Sequence, residues 1–144
     1  MIVDYVEENN RERARLQDLL DGLTEEKLQR TLPNGWTVAG ALAHIAFWDA
    51  YAVATLKEWE KNGFSATSSP VHIVNEAVDN MSRIIPLAAL PAWVRECAEA
   101  SDLCAAQVSP ELAAAMEAGG KTNFLCRFIH RRLHLDQIDA LLRN

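Results

Sequence analysis

Four histidines occur in this 144-residue chain, and two of them, His130 and His134, stand four residues apart in the closing stretch FLCRFIHRRLHLDQIDALLRN. On a helix that spacing stacks both imidazoles on one face, one turn apart, near enough for both to meet one metal ion. His44 is the only ionisable side chain between Thr37 and Trp48, set among Val, Ala, Gly, Leu, Ile and Phe. A stretch without charge is a buried stretch. A buried imidazole gives up its proton and needs partners for two ring nitrogens. A divalent cation would gather three such residues, with neutral nitrogens about 2.0–2.1 Å from zinc. The competing reading is a set of separately hydrogen-bonded core histidines, since one sequence does not show that the two helices meet. His72 follows Pro70-Val71 and has no partner at helical spacing, so it reads as a surface or loop residue.

Helices must position these residues. The chain has only five prolines and six glycines, long Ala-, Leu-, Glu- and Arg-rich stretches, and no extended apolar–polar alternation. A first helix is expected from about Val3 to Gly22, with Leu16, Leu19, Leu20 and Leu23 inward and Glu7, Glu8, Arg11, Glu12 and Arg15 solvated. Thr24 caps a short piece ending near Arg30. Pro33-Asn34-Gly35 is a turn, and Thr37 caps a long helix stopped at about Asn62 by Gly63. A Ser/Thr-rich loop over 64–70 leads to a short helix from His72 to Arg83. The stretch from Leu90 to Val108 is amphipathic, with Arg95, Glu96, Glu99 and Asp102 on its outer side. Ser109-Pro110 opens a brief helix closed by Gly119-Gly120. A last helix runs from about Thr122 to Arg143. The fold class is therefore all-α, a four-helix bundle with short accessory helices in one domain spanning 1–144.

On the last helix Arg132, Asp136, Asp139 and Arg143 form a solvent sector, and Asn123, Cys126, His130, His134, Gln137 and Leu141 lie opposite, toward the middle of the bundle. Gln137, one turn beyond His134, could hydrogen-bond a metal-bound water or equally satisfy another protein group. Asp49 lies off the His44 line and reads as a helix-surface or helix-contact residue. Asn9, Asn10 and Arg13 read as an exposed first turn rather than a pocket lining. Cys97, Cys104 and Cys126 fall on core-facing stripes as small hydrophobes. Cys126, a turn before His130, could also approach a metal. Trp36, Trp48, Trp59 and Trp93 read as packing.

Composition sets the remaining bounds. With 20 acidic against 14 basic residues and a formal net charge of −6, the chain lacks the basic face that nucleic acid requires. No apolar run nears the roughly 18 residues of a membrane span. The acidic start MIVDYVEENN is unlike a secretory signal, and three cysteines without a C-x-x-C suit reduced thiols. The expectation is a cytoplasmic protein acting on a small molecule, with no nucleic-acid or membrane partner. A homodimer through an exposed helix face is an alternative role for the surface.

Asn34-Gly-Trp-Thr-Val-Ala-Gly-Ala-Leu-Ala-His44-Ile-Ala-Phe-Trp48-Asp49, followed far downstream by His130-Arg-Arg-Leu-His134-Leu-Asp-Gln137-Ile138, resembles the DinB/YfiT-like superfamily. Trp36-Thr37, His44 and the His130/His134 pair stand in the family's order over nearly the whole chain. The resemblance implies a metal-binding four-helix bundle in which His44, His130 and His134 form a triad with an open fourth position. Three histidines suit zinc first, with nickel or iron as alternatives. Relatives include transferases and isomerases that use low-molecular-weight thiols. The implied activity is a metal-dependent thiol S-transferase or a hydrolase, and the alternative is a non-catalytic, metal-stabilised interaction module.

Overall fold

Local capping chemistry sets where the helices begin. In the computed structural model, which describes residues 3–66 and 68–144, Asp4 accepts from the Glu7 amide to open α1 (Tyr5–Asp21). Thr24 does the same through Lys27 for α2 (Glu25–Gln29), and Thr37 through Gly40 for α3 (Val38–Asn62). Gly63 ends α3 at φ 92°, a left-handed conformation that a Cβ would strain. Then come α4 (Val71–Ser82), α5 (Leu90–Ala106) and α6 (Pro110–Ala118), the last capped by Ser109. The expected last helix is two pieces: a 3₁₀ turn over Thr122–Phe124, then α7 (Arg127–Leu142). Asn123 and Cys126 therefore stand ahead of α7 rather than on its face.

Helix α1 packs on α5 and α7, and α3 packs on the same two. These contacts close the expected four-helix bundle, with α4 lying against α3. By length and composition α3 could cross a membrane, contrary to the expectation that no segment could. Yet 61% of its apolar window is buried inside the bundle, as befits a core helix.

The core is two apolar clusters with a charged layer between them. One gathers Leu16, Leu20, Leu42, Ile45, Val94 and Leu135; the other gathers Leu56, Trp59, Ala105, Met116, Leu125 and Phe128. On each long helix buried polar residues lie between these groups: Asn9 and Glu12, Asp49, Ser101 and Asp102, and Arg131. Arg131 is fully buried and reaches every other long helix. It donates to Asp49 on α3 at 3.2 and 3.3 Å, to Asp102 on α5 at 2.8 Å, and toward the Asn9 carbonyl on α1 at 3.5 Å. Burial opposes its charge, but Asp49 and Asp102 outweigh burial and hold its pKa above the ordinary arginine value.

Several sequence expectations fail at this layer. Asp49 has no exposed surface and contacts α7, the helix-contact reading of the two given for it, whereas Asp102 and Glu12 are buried rather than solvated. Asn9 is no exposed first-turn residue: its side chain donates to the Leu125 carbonyl at 2.7 Å and accepts from the Phe128 amide at 2.8 Å. Arg13 turns inward to Asp102 at 2.7 Å. The cause is common to all. A charge is compatible with the interior once it is paired and hydrogen-bonded, so charge alone does not mark the solvent face.

Candidate metal centre

Because Arg131 occupies the bundle axis, the inward face of α7 carries Arg127, Arg131, Leu135 and Ile138. The histidine line sits on the flank of that face, toward α3, rather than at the bundle's middle. The displacement matters chemically. It brings His130 and His134 against His44 at the edge of the core, where a cleft can reach them.

The three imidazoles form one cluster, with one nitrogen from each lying within 4.8 Å of the others. His44 Nε2 and His130 Nε2 are 2.9 Å apart, and ring centroids are separated by 4.7 to 4.8 Å in all three pairs. His44 and His134 are buried and His130 is half-buried. His72 lies exposed on α4 and takes no part. Cys126 is buried in the second apolar cluster and is not among the clustered ligand atoms.

Each ring is aimed by a neighbour. Gln137 Oε1 lies 3.0 Å from His134 Nδ1, an acceptor that fixes the proton on Nδ1 and leaves Nε2 bare. This is the protein-partner role among the two foreseen for Gln137. Arg127 donates from its guanidinium to His130 Nδ1 at 3.2 Å, while its Nε donates to Asp49 at 2.8 Å. Arg127 is buried on the core side of α7, and sequence reasoning misses it. Trp36 packs against the first apolar cluster, as expected, and also reaches the histidines. The Asn34 side chain accepts from the Trp36 amide at 2.9 Å, and Leu32 donates to the Trp36 carbonyl at 2.7 Å. This turn lays the indole 4.8 Å from the His44 ring and 6.2 Å from that of His134.

The electrostatics keep the cluster neutral. Burial lowers His44 to about 4, helped by His134 and Arg127. Burial and then the Arg127 guanidinium lower His130 to about 2, with smaller pushes from the other histidines and Arg131. Burial lowers His134 as well, partly offset by its hydrogen bond to Gln137. Near neutral pH all three rings are uncharged. Because Arg127 donates to His130 Nδ1, the proton of that ring sits on Nε2, shared with His44 Nε2, and a metal would displace it there.

These residues fit a divalent ion. Two facing Nε2 atoms at 2.9 Å need a shared proton or a cation between them. The histidines do not close as a hydrogen-bonded set, because His44 Nδ1 is buried with no partner among the described residues. Three imidazole nitrogens, with no clustered fourth ligand among the described residues, match the donor set of sites that keep a position open. A cleft of about 310 Å³ runs past His44 and His130, walled by Trp48, Val71, Asn75 and Phe124.

Burial holds the protein's own thiols in the protonated form. Burial raises Cys97 to about 11, with Asp49 and Glu96 adding to it, and burial also raises Cys104 and Cys126. At neutral pH such thiols stay protonated.

Compared with known families, the chain matches the sequence profile of the DinB superfamily over residues 8–138. No curated protein and no solved structure matches it.

Proposed function

The chain belongs to the DinB superfamily, and from that premise we propose that it is a divalent-metal-dependent enzyme acting on a small molecule. His44, His130 and His134 hold the ion, zinc first and nickel or iron next. The observation that carries this reading is the convergence of three neutral imidazoles from two helices beside a cleft, with no fourth side chain in the cluster among the described residues. Bound there, the ion supplies Lewis acidity, which lowers the pKa of a water or thiol and makes it a nucleophile near neutral pH.

The chain's residues provide the setting. Gln137 accepts from His134 Nδ1 and holds that ring with Nε2 bare, a task that commonly falls to hydrogen-bonding neighbours of metal ligands, while Arg127 positions His130 as a donor to its Nδ1. Trp36 packs against the cluster on one side. The cleft admits the reactants from the other. Since the three cysteines are held as thiols, a sulfur nucleophile comes from outside as a low-molecular-weight thiol; otherwise the nucleophile is water.

Cobalt substitution separates these cases. Titration with β-mercaptoethanol is expected to produce a saturable sulfur-to-cobalt charge-transfer band, and the same addition leaves His130→Ala unchanged. A band present before any thiol is added would mean that a protein sulfur such as Cys126 closes the site. If no thiol perturbs the spectrum, the thiol-transferase reading fails and hydrolysis becomes the activity to assay.

A further inference from the structure

Beyond the histidines the cleft continues along α3. The face of α3 that carries His44 also carries Trp48, Tyr51 and Thr55, at steps of four, three and four residues. At 1.5 Å per residue this face runs about 16 Å from His44 to Thr55. A second cleft of about 170 Å³ lies along it and shares Trp48, Val71, Asn123 and Phe124 with the cleft at the histidines. The shared wall is aromatic: Trp48 packs edge-on to Tyr51 at 5.1 Å, and Tyr51 lies 6.0 Å from Phe124.

The far end is different in kind. There the Tyr51 hydroxyl bonds the Ser69 hydroxyl at 2.6 Å, and Lys121 joins the lining. Lys121 has no ion pair among the described residues. No carboxylate lines either cleft among those residues either, although acids outnumber bases in the chain. The positive charge at the histidine end belongs to Arg127, and Asp49 faces it at 2.8 Å. The ammonium at the far end has no such counter-charge.

We propose that the two clefts form one track for an elongated, largely apolar ligand that ends in a carboxylate. The reactive end lies at His44 and His130, the body lies against Trp48 and Phe124, and the carboxylate meets Lys121 and the Tyr51–Ser69 hydroxyls. This rests on the metal-enzyme reading only for what happens at the histidine end; the Lys121 end stands on its own lining. An ammonium–carboxylate contact beside two hydroxyls is a charge-assisted recognition unit that a neutral end group cannot replace.

The test uses matched probes that differ only at the tail. In metal-free protein, dodecanoate should quench tryptophan fluorescence with an affinity about tenfold above that of dodecanol. Lys121→Gln should reduce that preference to within twofold while leaving dodecanol binding unchanged. In cobalt protein, ω-mercaptoundecanoate should saturate the charge-transfer band at about tenfold lower concentration than ω-mercaptoundecanol, again only with Lys121 present. Equal binding of acid and alcohol, or a preference that survives Lys121→Gln, overturns the track. A Lys121-dependent dodecanoate preference without any thiol band sustains the track and removes the metal-thiol reading. A thiol band indifferent to the tail does the reverse.

Discussion

Asp49→Ala is expected to lower the stability of the bundle by about 3–5 kcal/mol, a large share of a small protein's total. Asp49 has no exposed surface and accepts from both Arg127 and Arg131. Removing it leaves Arg131, itself fully buried, with Asp102 as its remaining carboxylate, which Arg13 already shares. Breaking one side of a buried pair strands a charge in the interior, and that uncompensated charge accounts for most of the cost. The substitution also frees Arg127 from the partner that holds it beside His130. By contrast Glu7→Ala removes a pair exposed on both sides and should change stability by no more than about 0.5 kcal/mol. Urea titration checks both, read as a shifted midpoint at unchanged slope. An Asp49→Ala midpoint equal to that of Glu7→Ala would show that the charged layer carries no structural weight.

Acid should unfold the metal-free protein through its histidines. In the unfolded chain each histidine titrates near 6.5, whereas in the folded protein His44 titrates at about 4 and His130 at about 2. Between these values the unfolded state binds more protons, so stability falls as the pH drops through 6.5 and continues falling toward the folded pKa values. The slope approaches about 1.4 kcal/mol per pH unit for each ring. From pH 7.5 to pH 5 these two rings together remove about 4 kcal/mol. The measurement is the urea midpoint of chelator-treated protein at the two pH values, beside a His44→Ala/His130→Ala double variant. The double variant should be markedly less pH-sensitive. An identical pH dependence in both proteins would mean that these rings are not held neutral by the fold. His72→Ala, altered on an exposed helix face, should behave as the wild type does.

The fold is legible wherever local chemistry sets it. Thr24, Thr37, Ser109-Pro110 and Gly63 each mark a helix end that the structure reproduces, because a capping hydroxyl or a left-handed glycine acts within a few residues. The three histidines are legible too, through one i, i+4 pair and one uncharged stretch. The surroundings of the site are not. Asp102 reads as solvent-facing charge, and Asp49 as a surface or helix-contact residue, until their arginine partners, 29 to 89 residues away, are known. A ring-aiming residue such as Arg127 has no local signature, since its role arises from Asp49 on α3 and His130 on its own helix. The broken start of α7 is hidden for the same reason. Asn9 on α1 binds both the Leu125 carbonyl and the Phe128 amide across that break, and nothing in Thr122–Phe124 itself announces the interruption. Pairings across the bundle decide the interior, and a single sequence exposes them poorly.

The central claim is that one divalent ion sits among His44, His130 and His134. It is tested most directly by elemental analysis of protein purified without chelator or affinity-tag metal, alongside single alanine variants of all four histidines. The account predicts about one ion per chain in the wild type and in His72→Ala, and loss of most of that ion in His44→Ala, His130→Ala and His134→Ala. Full stoichiometric metal in folded His44→Ala, or a wild type that takes up no divalent metal when it is supplied, would contradict it.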